Sequence, residues 1–297
     1  MTIDILLPYY GRVDHMQLSV QSVLAQTDGD WRLTVIDDGF PDDSIPGWFT
    51  SLGDDRVRYL RNEQNLGANA NYRKSLEFVT APWFVMMGAD DVMLPDYLAR
   101  VKELIAQSPT AGFVHPGVQT IEENGELAGG MIERGKAIYR PRGSGIRRVA
   151  GEPLAVGLAR GNWMYFPAIC WNAEAVLPIG FRPGLNVVQD LALAFDVIKT
   201  GREVVVDDQV VFQYRRHAAS DSSWRALEGT RFIEEGDFLR GMAAEFLAMG
   251  WPRAARAARR HFSSRVNAAL LIPKAVKAGN TAGVRNLRRH ALGRARA

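Results

Sequence analysis

Short apolar runs that break off into polar or acidic residues place the tightest limit on what this chain can fold into. Ile3–Leu7 ends at Pro8-Tyr9-Tyr10, Trp31–Ile36 at Asp37-Asp38-Gly39, and Trp83–Met87 at Gly88-Ala89-Asp90-Asp91. Val57–Leu60 is a further run of this kind. Between the runs, Val13–Ala25 and Asn65–Val79 carry apolar side chains at helical spacing, the second stretch after a loop centred on Gly67. Strands separated by helices pair in parallel with right-handed crossovers by default. A sheet so built takes its ligand beyond the carboxyl ends of its strands. The three polar segments are therefore expected to meet at one edge of an α/β sheet.

The 297 residues are enough to bury a full core in one large domain, or in a catalytic domain with an extension. Cys170 is the one cysteine and lies in the apolar run Phe166–Trp171. That excludes a disulfide framework and predicts a buried thiol, compatible with a reducing cytoplasm. Ile3–Pro8 lacks the layout of a signal peptide, and no stretch approaches the roughly 20 apolar residues of a spanning helix. The expectation is a cytoplasmic protein, or one peripheral on the inner face of the plasma membrane. Further along, residues 111–148 read as strands and a mobile loop with a turn at Glu122–Gly125. Gly151–Arg160 and Asp190–Thr200 read as helices, and Met164–Trp171 and Glu203–Tyr214 as strands. Beyond Ser220 the pattern is helical, with breaks expected at Pro252, Pro273 and around Gly279.

Four constellations carry chemistry. Asp37-Asp38 can accept hydrogen bonds from a base N–H and a ribose hydroxyl, or can simply form a turn, since Asp-Gly is a strong turn signal. In Gly88-Ala89-Asp90-Asp91 the carboxylates are hard ligands of the kind Mg²⁺ or Mn²⁺ prefers, although either can instead cap a following helix. Gln189-Asp190 opens a helix, where Asp190 is either a general base for an acceptor hydroxyl or an N-cap. Tyr214-Arg215-Arg216-His217 offers cations for a departing phosphate and an imidazole for a metal, or a solvated turn.

Together, Leu7-Pro8-Tyr9-Tyr10, Ser19–Thr27 (SVQSVLAQT), Val35-Ile36-Asp37-Asp38-Gly39, Asn65-Leu66-Gly67 with Asn71, and Gly88-Ala89-Asp90-Asp91 resemble the nucleotide-sugar half of a family 2 glycosyltransferase. Gly161-Asn162, Phe166-Pro167-Ala168, Ile179-Gly180-Phe181, Gln189–Leu193 and Tyr214–His217 extend the likeness more loosely, to about residue 223. The resemblance implies a GT-A fold, a Rossmann-like, mostly parallel mixed sheet flanked by helices. It divides the chain into a donor half (1–110), an acceptor and catalytic-base half (111–223) and a basic helical extension (224–297). It further implies inverting transfer from a nucleoside-diphosphate sugar, UDP or dTDP ahead of GDP, to a glycan, glycolipid or small-molecule hydroxyl in envelope or exported polysaccharide synthesis. Pro8, Tyr9, Arg12, Asp37, Asp38, Asn65, Asn71, Arg73, Ala89 and Asp90 would line the donor site. Asp90, Asp91 and His217 would hold Mn²⁺ or Mg²⁺, Arg215 and Arg216 would face the diphosphate, and Asp190 would be the base, ionised at neutral pH. The chain departs from the family's Asp-any-Asp metal motif at Gly88. That departure is the best argument for a degenerate, glycan-binding alternative. A sugar-phosphate nucleotidyltransferase is the other rival, but the loop after the first strand lacks the glycines such an enzyme uses.

Net charge is +3, yet residues 251–297 carry twelve Lys or Arg and no Asp or Glu, leaving 24 basic against 33 acidic groups before them. Arg256, Arg259 and Arg260 recur at helical spacing, as do Arg285, Arg288 and Arg289, around the apolar Ala268–Ile272. A basic amphipathic segment of this kind can lie on an anionic bilayer or cover an acidic body. No interleaved aromatics or recognition motif point to nucleic acid.

Overall fold

The structure, a computed structural model, describes residues 1–129, 131–216 and 226–293. Its layering follows from strand β1 (Ile3–Tyr9). Ile3, Ile5, Leu7 and Tyr9 pack on one side of the sheet and Leu6 on the other, all of them buried. A strand apolar on both faces belongs in the middle of a covered sheet. β1 pairs in parallel with β2 (Trp31–Asp37) and β4 (Trp83–Met86), and β2 with β3 (Val57–Arg61). Helices α1 (Val13–Leu24), α2 (Ser44–Leu52) and α3 (Ala68–Leu76) make the crossovers.

The chain continues through β5 (Val92–Met93), α4 (Tyr97–Gln107), β6 (Phe113–Ile121), α5 (Met131–Tyr139), β7 (Arg147–Val149) and α6 (Gly151–Arg160). Then come β8 (Cys170–Asn172), α7 (Ala173–Val176), α8 (Gln189–Lys199) and β9 (Val204–Arg215). The sheet runs in the order β3-β2-β1-β4-β8-β6-β9-β5, with β7 also on β9. The part built from β1 to β4 is parallel as expected. Past β4 only β6 and β9 pair in parallel, and β4–β8, β6–β8, β5–β9 and β7–β9 are antiparallel.

Three expectations about local structure are corrected. Residues 131–139, read as strand or loop, form α5, a helix masked in the sequence by its neighbouring glycines. Met164–Trp171 is not a continuous strand, because Pro167 sits in a 3₁₀ turn (Phe166–Ala168) and pairing begins only at Cys170. Pro273 does not end its helix, since Ala268 and Ala275 on either side are packed into a small cluster with Phe232 and Leu287.

Helices α9 (Thr230–Ala248) and α10 (Pro252–Arg260) share the main core: Phe238, Leu239, Met242, Phe246, Ala254 and Ala258 pack with Phe195 of α8 and Leu158 of α6. Only α11 (Phe262–Lys277) and α12 (Thr281–Ala291) form a satellite cluster, with Ala226 and Phe232. Cys170 is buried, and burial pushes its thiol up. Among the described residues no helix is long and apolar enough to cross a membrane.

Two buried histidines couple this core to pH. His115 lies between the Pro116 carbonyl (Nδ1 at 2.8 Å) and the Tyr165 N–H (Nε2 at 3.0 Å), which fixes a neutral ring. Burial, then the charges of Arg140 and Lys136, lower it from 6.5 to about 3. His290, bonded to the Ser264 hydroxyl at 2.9 Å, is lowered to about 4 by burial, then by His261, Arg265 and Arg240. The unfolded chain takes up these protons at higher pH than the folded one, so their contribution to stability is lost as pH falls from the unfolded value through the folded one. Urea unfolding followed from neutral pH down to about pH 5 should therefore show a shallower stability loss in His290→Gln than in the parent.

Candidate active site

β1 and β2 end side by side, the Asp38 N–H donating to the Tyr9 carbonyl at 2.8 Å. Asp37 and Asp38 are buried. Asp37 accepts from the Phe40 N–H (2.8 Å) and the Tyr59 hydroxyl (2.5 Å), which is turn chemistry. Asp38 accepts from the Asn62 amide (2.8 Å) and from the Leu66 and Gly67 N–H groups (2.9 Å each), and so shapes the loop that carries Asn65. Asn65 accepts a second bond from the Gly67 N–H at 2.9 Å. Asn71 is buried and bridges the Ile36 carbonyl (2.9 Å) and the Asn62 amide (3.0 Å). These side chains frame a wall beyond β2. Pro8 is half-buried within β1, and the Tyr9 hydroxyl donates to the Gly11 carbonyl at 2.6 Å. Arg12 is exposed and pairs with Asp14 (2.5 Å) and Glu123 (2.6 Å), joining the loop after β1 to the turn after β6. On α3, Nη1 of Arg73 is buried and has no hydrogen-bond partner among the described residues.

Gly88-Ala89-Asp90-Asp91 leads from β4 into β5, so neither aspartate caps a helix. Ala89 and Asp90 are half-buried, whereas Asp91 is buried and accepts the Arg215 N–H at 2.9 Å. Burial, then the Asp90 charge, holds the Asp91 carboxyl well above the usual carboxylate range, against the pull of Arg215. The Arg215 guanidinium serves backbone carbonyls, those of Asp90 (2.8 Å), Glu122 (3.3 Å) and Glu123 (3.0 Å), and so does loop-holding work where a diphosphate contact was expected. Arg216 follows β9, half-buried, its N–H on the Ile121 carbonyl at 2.8 Å.

The acidic loop is clamped from beneath by the polar residues of Ser19–Thr27. The Ser19 hydroxyl donates to the Asp91 carbonyl (2.7 Å), and the Ser22 hydroxyl accepts the Met93 N–H (3.1 Å). Gln26 holds the Leu94 carbonyl (2.8 Å) and the Leu98 N–H (2.9 Å). Gly88 belongs to the same design: a Cβ there would lie 2.3 Å from Asp91 Oδ2 and 3.2 Å from Asp90 Oδ1. The space a side chain would fill is already occupied by the two carboxylates. Among the described residues no three His, Cys, Asp or Glu side chains group as a metal cage. Two adjacent carboxylates nevertheless fit a hard cation that draws its remaining ligands from water and phosphate oxygens.

Asp190 comes from the opposite side. It lies in the first turn of α8, whose N-cap is Val188, and accepts the Leu191 N–H (2.7 Å) and the Asn162 amide (3.3 Å). Its neighbour Gln189 accepts from Asn69 of α3 at 2.6 Å, which joins the two halves of the molecule. Glu234 of α9 caps the approach to α8 by accepting the N–H groups of Asn186 (2.9 Å), Val187 (2.6 Å) and Val188 (3.0 Å). The surrounding protein pushes the Asp190 carboxyl up by desolvation, opposed by the Leu191 N–H, Lys136, Arg231 and Asn162. Burial is the largest influence, and the cationic neighbours Lys136 and Arg231 favour the ionised form. Burial raises the hydroxyls of both Tyr72 and Tyr214, and the charges of Asp90, Asp91 and Asp190 raise them further, so all three carboxylates are felt by the same pair of phenols.

His217 lies outside the described residues. Of the aromatic residues around α6 and β8, Trp163 and Trp171 are core, while half-buried Tyr165 packs against Tyr214 with ring centroids 5.2 Å apart and planes tilted by 53°, the Lys136 ammonium 3.5 Å from its ring centre. Lys136 and Arg231 were not legible as site residues because they arrive from α5 and α9 with no local motif. Tyr72 and Tyr214 carried a signal, each standing beside a residue already singled out.

Residues 4–171 match the model of Glycosyl transferase family 2, more than half of the chain. The chain belongs to this family. A relative, TuaG of Bacillus subtilis (strain 168), a glycosyltransferase assigned to teichuronic acid biosynthesis, is 23% identical over 78% of this chain and 86% of its own. Against uncharacterized glycosyltransferases of Rickettsia felis and Rickettsia conorii the chain spans 35% of their length. Among solved structures, S. aureus TarS 1-349 in complex with UDP-GlcNAc superposes with a TM-score of 0.60 at 11% identity, covering 99% of this chain and 93% of that one. The mannosyltransferase PcManGT from Pyrobaculum calidifontis, in complex with GDP-Man and Mn²⁺, gives 0.62 at 15% identity, covering 98% and 86%. These likenesses establish the GT-A fold for this family 2 glycosyltransferase.

Gly88→Ala in this glycosyltransferase should displace Asp91 from the Arg215 N–H and cost about 1–3 kcal/mol, the range for stranding a buried hydrogen-bonding group. Urea unfolding measures it. An unchanged midpoint would mean that Asp91 swings aside freely.

Proposed function

We propose that this protein transfers a glycosyl group from a nucleoside-diphosphate sugar to an acceptor hydroxyl with inversion, Asp190 serving as the base. The placement of Asp90 and Asp91 at the end of β4, tied to the end of β9 by the Arg215 N–H, and of Asp190 in the first turn of α8, bonded by Asn162, carries the proposal. The charges of all three reach the same two hydroxyls, those of Tyr72 and Tyr214. The donor's nucleoside lies against the wall built by Asp38, Asn65 and Asn71, with UDP or dTDP preferred. Arg73, whose buried Nη1 lacks an acceptor among the described residues, and Arg216 face the diphosphate. Asp90 and Asp91, with His217, would hold Mn²⁺ or Mg²⁺, which would supply charge neutralisation for the leaving diphosphate.

Asp190 takes the proton from the acceptor oxygen as that oxygen attacks the anomeric carbon opposite the diphosphate. A carboxyl raised by burial is a stronger base than an exposed one, and its bonds to the Leu191 N–H and Asn162 fix its direction. The relative assigned to teichuronic acid biosynthesis supports an envelope or exported glycan as the product.

Asp190→Asn should lower transfer about 10²–10⁴-fold, the usual weight of a positioned base, and leave nucleotide binding nearly intact. Calorimetric titration with UDP, dTDP and GDP, with and without Mn²⁺, alongside a transfer assay, checks both halves. Transfer surviving in the variant would remove Asp190 from the role, and a folded protein that binds none of the three would sink the donor assignment.

A further inference from the structure

A groove of about 880 Å³ opens where α6, α10 and the end of α5 meet, away from the three carboxylates. Arg142, Arg160, Arg253, Arg256 and Arg260 line it, above a floor that includes Val156, Ala257 and Phe262. No carboxylate is among the lining residues. Arg253 is held by Glu152 at 2.8 Å, but Arg142, Arg160, Arg256 and Arg260 make no ion pair with any described residue. The helix α10 explains this segregation. Ala254, Ala255, Ala257 and Ala258 are its buried face, and Arg253, Arg256, Arg259 and Arg260 are all exposed. Alanine packing and the Arg253–Glu152 pair dock the helix, which leaves Arg256, Arg259 and Arg260 facing solvent.

The basic groove continues into an apolar stripe. His261 turns the chain between α10 and α11 in a left-handed conformation (φ 27°), with its own ring buried, and Phe262 follows it into solvent, 67% exposed. Val266 (40%) and Leu270 (73%) come next along α11 at four-residue spacing, then exposed Pro273, with exposed Lys274 and Lys277 at the end. Large apolar side chains exposed in a row are costly in water, and beside arginines that make no ion pair with any described residue they match the boundary of a bilayer, where rings and aliphatic chains enter the acyl region and guanidinium groups meet phosphate.

We propose that this face, the arginine groove together with the Phe262–Leu270 stripe, seats the protein on an anionic phospholipid bilayer. Charge complementarity selects the occupant, because residues 251–297 hold twelve basic groups and no acidic one. The face also abuts the acceptor side of the site. Arg160 ends α6, its carbonyl accepts a bond from the Ser263 hydroxyl of α11, and Asn162, two positions on, bonds Asp190. Docking here places the acceptor side of the protein at a lipid surface. The docking itself does not depend on Asp190 being the base.

The test is sedimentation of the full chain with vesicles, a readout independent of transfer. Binding is expected to phosphatidylcholine vesicles containing phosphatidylglycerol, to weaken as salt is raised, and to be much weaker on phosphatidylcholine alone. Arg256→Ala and Arg260→Ala should each lower partitioning about fivefold, the usual weight of one surface cation. Phe262→Ser with Leu270→Ser should lower it further and remove the part that survives high salt. These side chains are exposed, and thermal melts confirm that each variant is folded. Equal binding to neutral and anionic vesicles, displacement by inorganic phosphate at unchanged ionic strength, or no effect of either pair of substitutions in a folded sample would overturn the proposal.

Discussion

The buried Asp91 carboxylate is the tie on which the rest of the site depends. Its bond to the Arg215 N–H fastens the loop after β4 to the end of β9, strands far apart in sequence and not neighbours in the sheet. The Arg215 guanidinium returns the connection by holding the carbonyls of Asp90, Glu122 and Glu123. A carboxylate buried beside another carboxylate is expensive unless hydrogen bonds and a counter-charge repay it. Arg215 supplies part of that repayment, and a divalent cation on Asp90 and Asp91 would supply more. The same tie accounts for Gly88. A side chain at that position would occupy the volume into which Asp91 is folded, so the departure from the family motif and the placement of Asp91 are one structural choice.

Much of this was legible in the sequence wherever the signal was local. The ends of β1, β2 and β4 announced themselves through abrupt changes from apolar to acidic residues, and the structure places them together. The Ser19–Thr27 segment was recognisable as a motif but not as a clamp, because the carbonyls and N–H groups it binds lie some seventy positions away at Asp91, Met93, Leu94 and Leu98. Helix α5 was hidden by its flanking glycines, and Lys136 with it. Arg231 was invisible for another reason: nothing near it in sequence tells that α9 passes beside α8. Asp37 and Arg215 show what the sequence could not tell, that a charged residue in a suggestive place also does internal work.

The C-terminal helices are joined to the catalytic half by more than apolar packing. Glu234 of α9 gathers three consecutive N–H groups of the chain leading into α8, up to Val188 at the N-cap, which has no capping side chain of its own. The start of the helix that carries Asp190 is thus held by a residue from the C-terminal helices. Arg182 adds to the seam by pairing with Asp196 of α8 at 2.6 Å and Glu245 of α9 at 3.3 Å.

That seam gives the opposed surfaces of the basic segment a common logic. α10 turns alanines toward the core and arginines toward solvent, as an amphipathic helix in water does, whereas α11 leaves an apolar stripe in the open, which does not lower the free energy of an isolated protein in water. Small inward side chains let α10 sit close against α6, the helix that ends at Arg160, just before Asn162. A load carried by the arginine face would therefore bear on the segment that orients Asp190. On the proposed function, attachment through this face and the positioning of Asp190 share one stretch of chain, from α6 to Asn162.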